Sequence, residues 1–222
     1  MFSLLSSYPV FVHYIILYLL FTTIGGAVLD ACGLKTGSFY YNVITSIFPI
    51  LAIAIVIGTF SIKRKENILK TVNATKFNPL YIIPAILLAI GMLLGLGFLN
   101  NLIANTVLSL GGKVYYTDVK MTNFGEFILL VLTLAILPAV FEESLFRGLM
   151  LDGVKAMTTP IAICTISLCF SLYHGNIAQF VYQLIYGVGL SVLAYFSKSI
   201  LPSITAHFIN NFFILFFQNI HS

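Results

Sequence analysis

An all-α, polytopic transmembrane helical bundle of about seven spans, with six to eight admissible, is the fold class this sequence predicts. Three observations predict it. Of the 222 residues, 59% are apolar and only 8% are charged, against about 25% charged in a soluble domain. The mean hydropathy is +1.03. The apolar residues arrive in runs long enough to cross a ~30 Å hydrocarbon core, and the charges gather in the connections between them. The same numbers exclude other classes. A water-soluble globule cannot cover its surface with so few charges. Nucleic-acid binding is excluded, because a net charge of +4 without a basic stripe cannot supply several phosphate contacts. A disulfide scaffold is excluded too: Cys32, Cys164 and Cys169 are odd in number and read as small apolar residues.

The elements follow in order. The first span, about 10–29, has no Lys or Arg before it, so the basic region of a signal peptide is missing. Leu29-Asp30-Ala31-Cys32 has the outline of a lipoprotein site, but Asp30 fits it poorly, and a retained span is expected. The second span, 41–61, leads into a connection, 62–79, in which Lys63, Arg64, Lys65, Lys70 and Lys76 face one acid, Glu66. The third, 80–99, leads into a second polar connection, 100–125, which holds Asn100, Asn101, Gly111, Gly112, Lys113, Asp118 and Lys120. Four further apolar runs, 126–150, 159–174, 177–196 and 200–217, complete the bundle. Tyr8, Tyr14, Tyr40, Tyr41, Tyr115 and Tyr116 lie near span ends, as interfacial aromatics do. The 62–79 connection has the largest Lys/Arg excess and is placed in the cytoplasm. Counting from it puts the N-terminus inside, the C-terminus outside, Arg147, Lys155 and Lys198 on the cytoplasmic side, and Lys35, Lys113 and Lys120 outside. The chain reads as a single membrane domain, with N-terminal helices in 1–125 and a second group of helices in 126–217.

The informative residues are the polar ones inside apolar runs, since such groups usually pair or line a site. Glu143 and Arg147 are four apart and share a helical face, which suits an ion pair. Glu142 lies about 100° round the helix and is left without a basic neighbour one turn away. A carboxylate left over in low dielectric can serve as a general base. His174 ends the fifth span, and His207 lies in the seventh. Asn211 follows His207 by four and shares its face; it reads either as an oxyanion donor or as an interhelical hydrogen bond. His13 and His221 have no partner in sequence and are set aside. At ~1.5 Å per residue, Glu142, His174, His207 and Asn211 all fall between about 10 and 21 Å from one end of their spans. Three helices can therefore bring them to one polar pocket. A Glu with two His and an Asn suits activating a water and stabilising a tetrahedral oxyanion, the chemistry of amide-bond hydrolysis; other intramembrane protease chemistries lack their residues, since there is no His-Glu-x-x-His, no Gly-x-Ser-Gly and no aspartate inside a span.

Glu-Glu-x-x-x-Arg at 142–147, Phe-x-x-x-His at 170–174 and His-x-x-x-Asn at 207–211 resemble, in order and in placement, three motifs of the CPBP intramembrane proteases. These are the CAAX-processing and bacteriocin-processing, or Abi, proteins, which include the type II CAAX prenyl endopeptidases. The resemblance covers about residues 126–217; residues 1–125 carry no motif of it. It implies that Glu142 activates a water with help from His174, that His207 and Asn211 stabilise an oxyanion, and that Glu143 and Arg147 position the site or bind substrate. It also leaves two cofactor readings open. In one, Glu142, His174 and His207 form a zinc set with Glu143 as the base. In the other, slightly favoured, a glutamate-and-histidine mechanism uses no metal.

The expected partners are a membrane-associated protein or peptide substrate and the lipid bilayer. Richness in Ile, Phe, Asn and Lys suits a bacterium with an AT-rich genome. The expectation is therefore a bacterial cell-membrane protein, its active site open towards the cytoplasm, in peptide maturation or bacteriocin self-immunity rather than prenyl-protein processing. Two rivals stand beside it: a catalytically silent immunity protein that binds a peptide, and a proton-coupled transporter relaying protons through Glu142, His174 and His207.

Overall fold

The structure is a computed structural model that describes residues 7–114, 121–154 and 156–220, leaving aside the side chains of residues 7, 8, 219 and 220. Tyr115, Tyr116, Asp118, Lys120, Lys155 and His221, and the side chain of Tyr8, lie outside the described residues.

Within the described residues the chain forms seven long helical rods, one short helix at Ile68–Thr71 and no strand. The rods are α1 (Ser7–Ala31), α2 (Phe39–Arg64), α3 (Pro79–Ser109), α4 (Phe124–Gly153), α5 (Thr159–Tyr173), α6 (Ile177–Ser197) and α7 (Leu201–Ile220). They coincide in order with the seven apolar runs. The all-α helical bundle is thus observed. Five rods, α1 to α4 and α6, are long and apolar enough to cross a membrane on their own. α5 is apolar but has only 15 residues. α7 has 20 residues, but His207, Asn210 and Asn211 dilute its hydropathy. The two rods that fall short of an independent span are the one that ends against His174 and the one that carries His207.

The helix ends have local causes. Ser38 caps α2, its Oγ accepting from the Tyr41 N–H, and Lys65 stops that helix in a left-handed conformation with φ 55°. Asn78 caps α3, with Pro79 at the first helical position. Asn123 Oδ1 accepts from the Glu126 N–H at 3.0 Å, while Glu126 Oε2 accepts from the Thr122 N–H, a reciprocal cap that starts α4. Within α4 the backbone widens into π-type turns at Val131–Ile136 and Ser144–Met150. Such turns are frequent at functional sites. Here they bracket a regular segment, Leu137–Glu143, that ends on the two glutamates.

Packing brings the polar residues inward. α5 and α6 meet closely at Gly187, where a Cβ would stand 3.1 Å from Ser167 Cα. Residue 148 must also be small, since a Cβ there would meet the Val72 carbonyl oxygen at 2.6 Å. That contact seats the 66–76 connection against α4. The connection is further fixed by Ile200 N–H donating to Asn73 O at 3.2 Å, Thr75 Oγ1 donating to Lys198 O at 3.0 Å, and an Arg64–Asp152 ion pair at 3.3 Å. These contacts place the basic connection, the end of α4 and the α6–α7 turn at one end of the bundle. α7 lies among α3, α4 and α6, and α1 packs on α2 and on the second half of α4.

One reading of the aromatic residues needs correction. Tyr14 is only 3% exposed and sits in the core beside Tyr173 and Tyr18, not at an interface. Nearness to a span end gives depth, whereas the face of the helix decides burial. On α1 the adjacent His13 faces outward and hydrogen-bonds the Pro9 carbonyl at 2.6 Å.

Candidate active site

The centre of the site is a three-residue knot. Arg147 Nη1 donates to Glu143 Oε1 at 2.8 Å, the i,i+4 pair of α4. His207 Nδ1, from α7, donates to the same oxygen at 2.9 Å. Arg147 also donates through Nη2 to the Gly187 carbonyl at 3.0 Å and through Nε to Ser191 Oγ at 3.3 Å, both on α6. Its guanidinium carbon lies 4.3 Å from the centre of the Phe170 ring of α5. One buried arginine thereby ties α5 and α6 to α4, and the glutamate it pairs with ties α7. Each of its three nitrogens has a partner inside the bundle.

That knot sets the state of His207. A carboxylate only accepts, so the proton at this contact belongs to Nδ1. The other ring nitrogen, Nε2, is thereby turned towards Glu142, whose Oε2 stands 3.9 Å away. Glu142 Oε1 accepts from the Tyr173 hydroxyl at 3.1 Å, and Oε2 is buried without a hydrogen-bond partner. The gap between Oε2 and Nε2 is too long for a direct hydrogen bond and short enough for one water to touch both.

His174, half-buried at the end of α5, donates from Nδ1 to the Phe170 carbonyl at 2.8 Å. The same logic leaves its Nε2 as the acceptor. Its ring and that of His207 both lie edge-on to Phe170, with centroids at 4.7 and 5.8 Å. Asn211 is engaged otherwise. Its Nδ2 donates to the Leu134 carbonyl at 3.2 Å. Pro138 has no N–H to offer that carbonyl from four residues on, and Asn211 donates to it instead. One N–H of the Asn211 amide remains for another acceptor. The neighbouring Asn210 is buried and accepts from the Tyr182 hydroxyl at 2.7 Å.

Glu142, Glu143, Arg147 and His207 are therefore in one cluster, His174 adjoins it through Phe170, and Asn211 lies one turn of α7 away. Tyr173, Ser191, Gly187 and Tyr14 belong to the same neighbourhood and carried no role in the sequence reading. Tyr173 had a signal, a hydroxyl inside an apolar run beside His174; Ser191 and Gly187 had none, because their partner is some forty residues away. Among the described residues no group of three or more His, Cys, Asp or Glu side chains is placed to hold a metal ion, the Glu142, His174 and His207 set included.

Residues 124–213 match the family described as Type II CAAX prenyl endopeptidase Rce1-like. The segment is similar to that family. It begins at the first residue of α4 and ends in α7, taking in all six candidate residues and leaving α1 to α3 outside. No curated protein and no solved structure matches the chain. The match covers 90 of the 222 residues, and among the described residues five helices are long and apolar enough to cross a membrane.

Proposed function

We propose that this protein hydrolyses a peptide bond of a membrane-associated protein or peptide, with Glu142 as the general base on a water. The observation that carries the reading is the buried, unpartnered Oε2 of Glu142 facing His207 Nε2 across 3.9 Å. A water in that gap gives its proton to Oε2 while its oxygen adds to the scissile carbonyl carbon. The tetrahedral oxyanion is met by the remaining N–H of Asn211 and by His207, which enters the step as the imidazolium and keeps its Nε2 proton throughout. Glu143 stabilises the imidazolium through Nδ1, as a carboxylate behind a catalytic histidine does, and Arg147 keeps Glu143 in place. Collapse breaks the C–N bond, and Glu142 returns the proton to the leaving amine. His174, with an acceptor nitrogen at the edge of the cluster, assists in orienting the water.

The substrate class in this reading is a short peptide or a membrane-anchored chain, in peptide maturation or self-immunity, and the active site opens towards the side of the basic 62–79 connection. The test compares the wild-type protein with Glu142→Gln on prenylated and unprenylated membrane-anchored peptides, with and without a chelator. Cleavage is expected to fall about 10²–10⁴-fold in the variant, the usual worth of a general base, and to survive the chelator. Undiminished cleavage by Glu142→Gln would remove Glu142 from the mechanism, and loss of cleavage on chelation would replace this mechanism by a metal-dependent one.

A further inference from the structure

α1 lies outside the Rce1-like segment, yet it reaches the candidate site. Tyr14 is buried while its neighbours His13 and Ile15 face outward. Its ring lies 5.4 Å from that of Tyr173 and 5.8 Å from that of Tyr18. The Tyr173 ring is itself clamped edge-on by Phe146 at 5.3 Å, and Phe146 meets Phe11 of α1 at 6.4 Å. Packing therefore fixes where the Tyr173 hydroxyl points, and it points at Glu142 Oε1, 3.1 Å away.

A phenol bound to one oxygen of a carboxylate fixes the plane of that carboxylate. The plane decides where the second oxygen lies, and at Glu142 the second oxygen is the one without a partner. The direction of donation follows from the chemistry. The carboxylate accepts, so Tyr173 donates to it. We propose that Tyr173 is a positioning residue for Glu142, and that Tyr14, supplied by α1, holds the Tyr173 ring in place by packing against it. The inference rests on the reading of Glu142 as the base. It assigns part of the site to a helix that carries no motif of its own.

The competing account is that Tyr173 serves only as a packing ring, and a spectroscopic readout separates the two. The chain has four glutamates, Glu66, Glu126, Glu142 and Glu143. Full-length protein labelled with carboxyl-¹³C glutamate thus gives four side-chain resonances, each assignable by a Glu→Gln variant. Tyr173→Phe keeps the ring and removes the hydroxyl. It is expected to shift the Glu142 resonance and leave those of Glu66 and Glu126 in place. Tyr14→Ala, which removes the ring packed against Tyr173, is expected to shift the same resonance in the same direction by less, and the double variant to match Tyr173→Phe alone, as residues acting in series do. On a fluorogenic farnesylated peptide, Tyr173→Phe is expected to lower kcat by about tenfold or more with KM within about twofold, the pattern of a group acting on the chemical step. An unmoved Glu142 resonance in Tyr173→Phe overturns the proposal, and a double variant whose shift is the sum of the two singles overturns the part given to Tyr14. Full cleavage by Glu142→Gln would instead defeat the reading of the base, while the resonances still decide whether the tyrosines hold its carboxylate.

Discussion

Two ion pairs in this chain have the same spacing and opposite surroundings. Glu66 and Lys70 are four apart and meet at 3.0 Å, with side chains 27% and 68% exposed. Glu143 and Arg147 are also four apart and meet at 2.8 Å, with both side chains fully buried. The first pair lies in the basic connection, where water screens each charge. The second lies among α4, α5, α6 and α7, where the remaining donors of the arginine and the shared oxygen of the glutamate have protein partners. The difference extends beyond the pairs. Of fifteen buried polar or charged residues among those described, only Ser61 and Thr71 precede α4. The N-terminal rods therefore act mainly as an apolar jacket, and α4 to α7 hold the chemistry. Identical spacing in sequence says that two side chains can meet; it says nothing about how much their meeting matters.

Arg147→Ala is the largest expected break. It leaves Glu143 as a buried carboxylate with its main partner gone, a change that costs about 3–5 kcal/mol. Thermal unfolding in detergent should register it as a large fall in midpoint, or as a failure to accumulate folded protein. The sharper variant is Arg147→Met with Glu143→Gln. Removing both charges is often neutral or better for stability, so the midpoint should recover. Cleavage should not, because His207 has lost the carboxylate that orients it. Recovery of both would show that the knot is structural only, and the contrast between the two pairs would then concern stability alone.

These same residues mark what was legible in the sequence. The Glu143–Arg147 pair was legible because helical geometry fixes i and i+4 on one face, a local matter. The bundle and its seven rods were legible for a similar reason, since apolar runs and their polar interruptions are read residue by residue. The pairing of His207 with Glu143 spans 64 residues, and no local rule chooses between Glu142 and Glu143 as its partner. Depth along the rods showed that His207 and the glutamates could meet. It could not show that Nδ1 would bind Glu143 and turn Nε2 to Glu142. Tyr14 failed for the complementary reason: its depth in α1 was read, and its face was not. Asn211 stood between two readings, and the decisive residue was Pro138, which withdraws an N–H from the Leu134 carbonyl and gives the amide a backbone partner.

Asn211→Ala sharpens the comparison at a smaller scale. It uncovers the Leu134 carbonyl inside the bundle, where an interhelical hydrogen bond is worth about 0.6–2 kcal/mol. Thermal unfolding should show a modest loss. If the second amide N–H meets the oxyanion, kcat should fall by about 10²–10³-fold as well, the usual worth of one such donor. A fall in stability with unchanged kcat would leave Asn211 as an interhelical tie and give the oxyanion to His207 alone.

Lys70→Ala should have the smallest effect, and its smallness carries the argument. An exposed pair contributes about 0–1 kcal/mol, since the attraction is weak in water and holding two long side chains together costs entropy. The variant should unfold within a degree or two of the wild type, and any difference should shrink as salt is raised, because exposed charges are screened over about 10 Å at 0.1 M. The 66–76 connection does not depend on that pair. It is held by Val72 against Gly148 and by the backbone contacts of Asn73 and Thr75 with the α6–α7 turn. A large loss in Lys70→Ala, comparable with that in Arg147→Ala, would mean that the basic connection is tied to the core through its charges. In that case burial would no longer be what separates the two pairs.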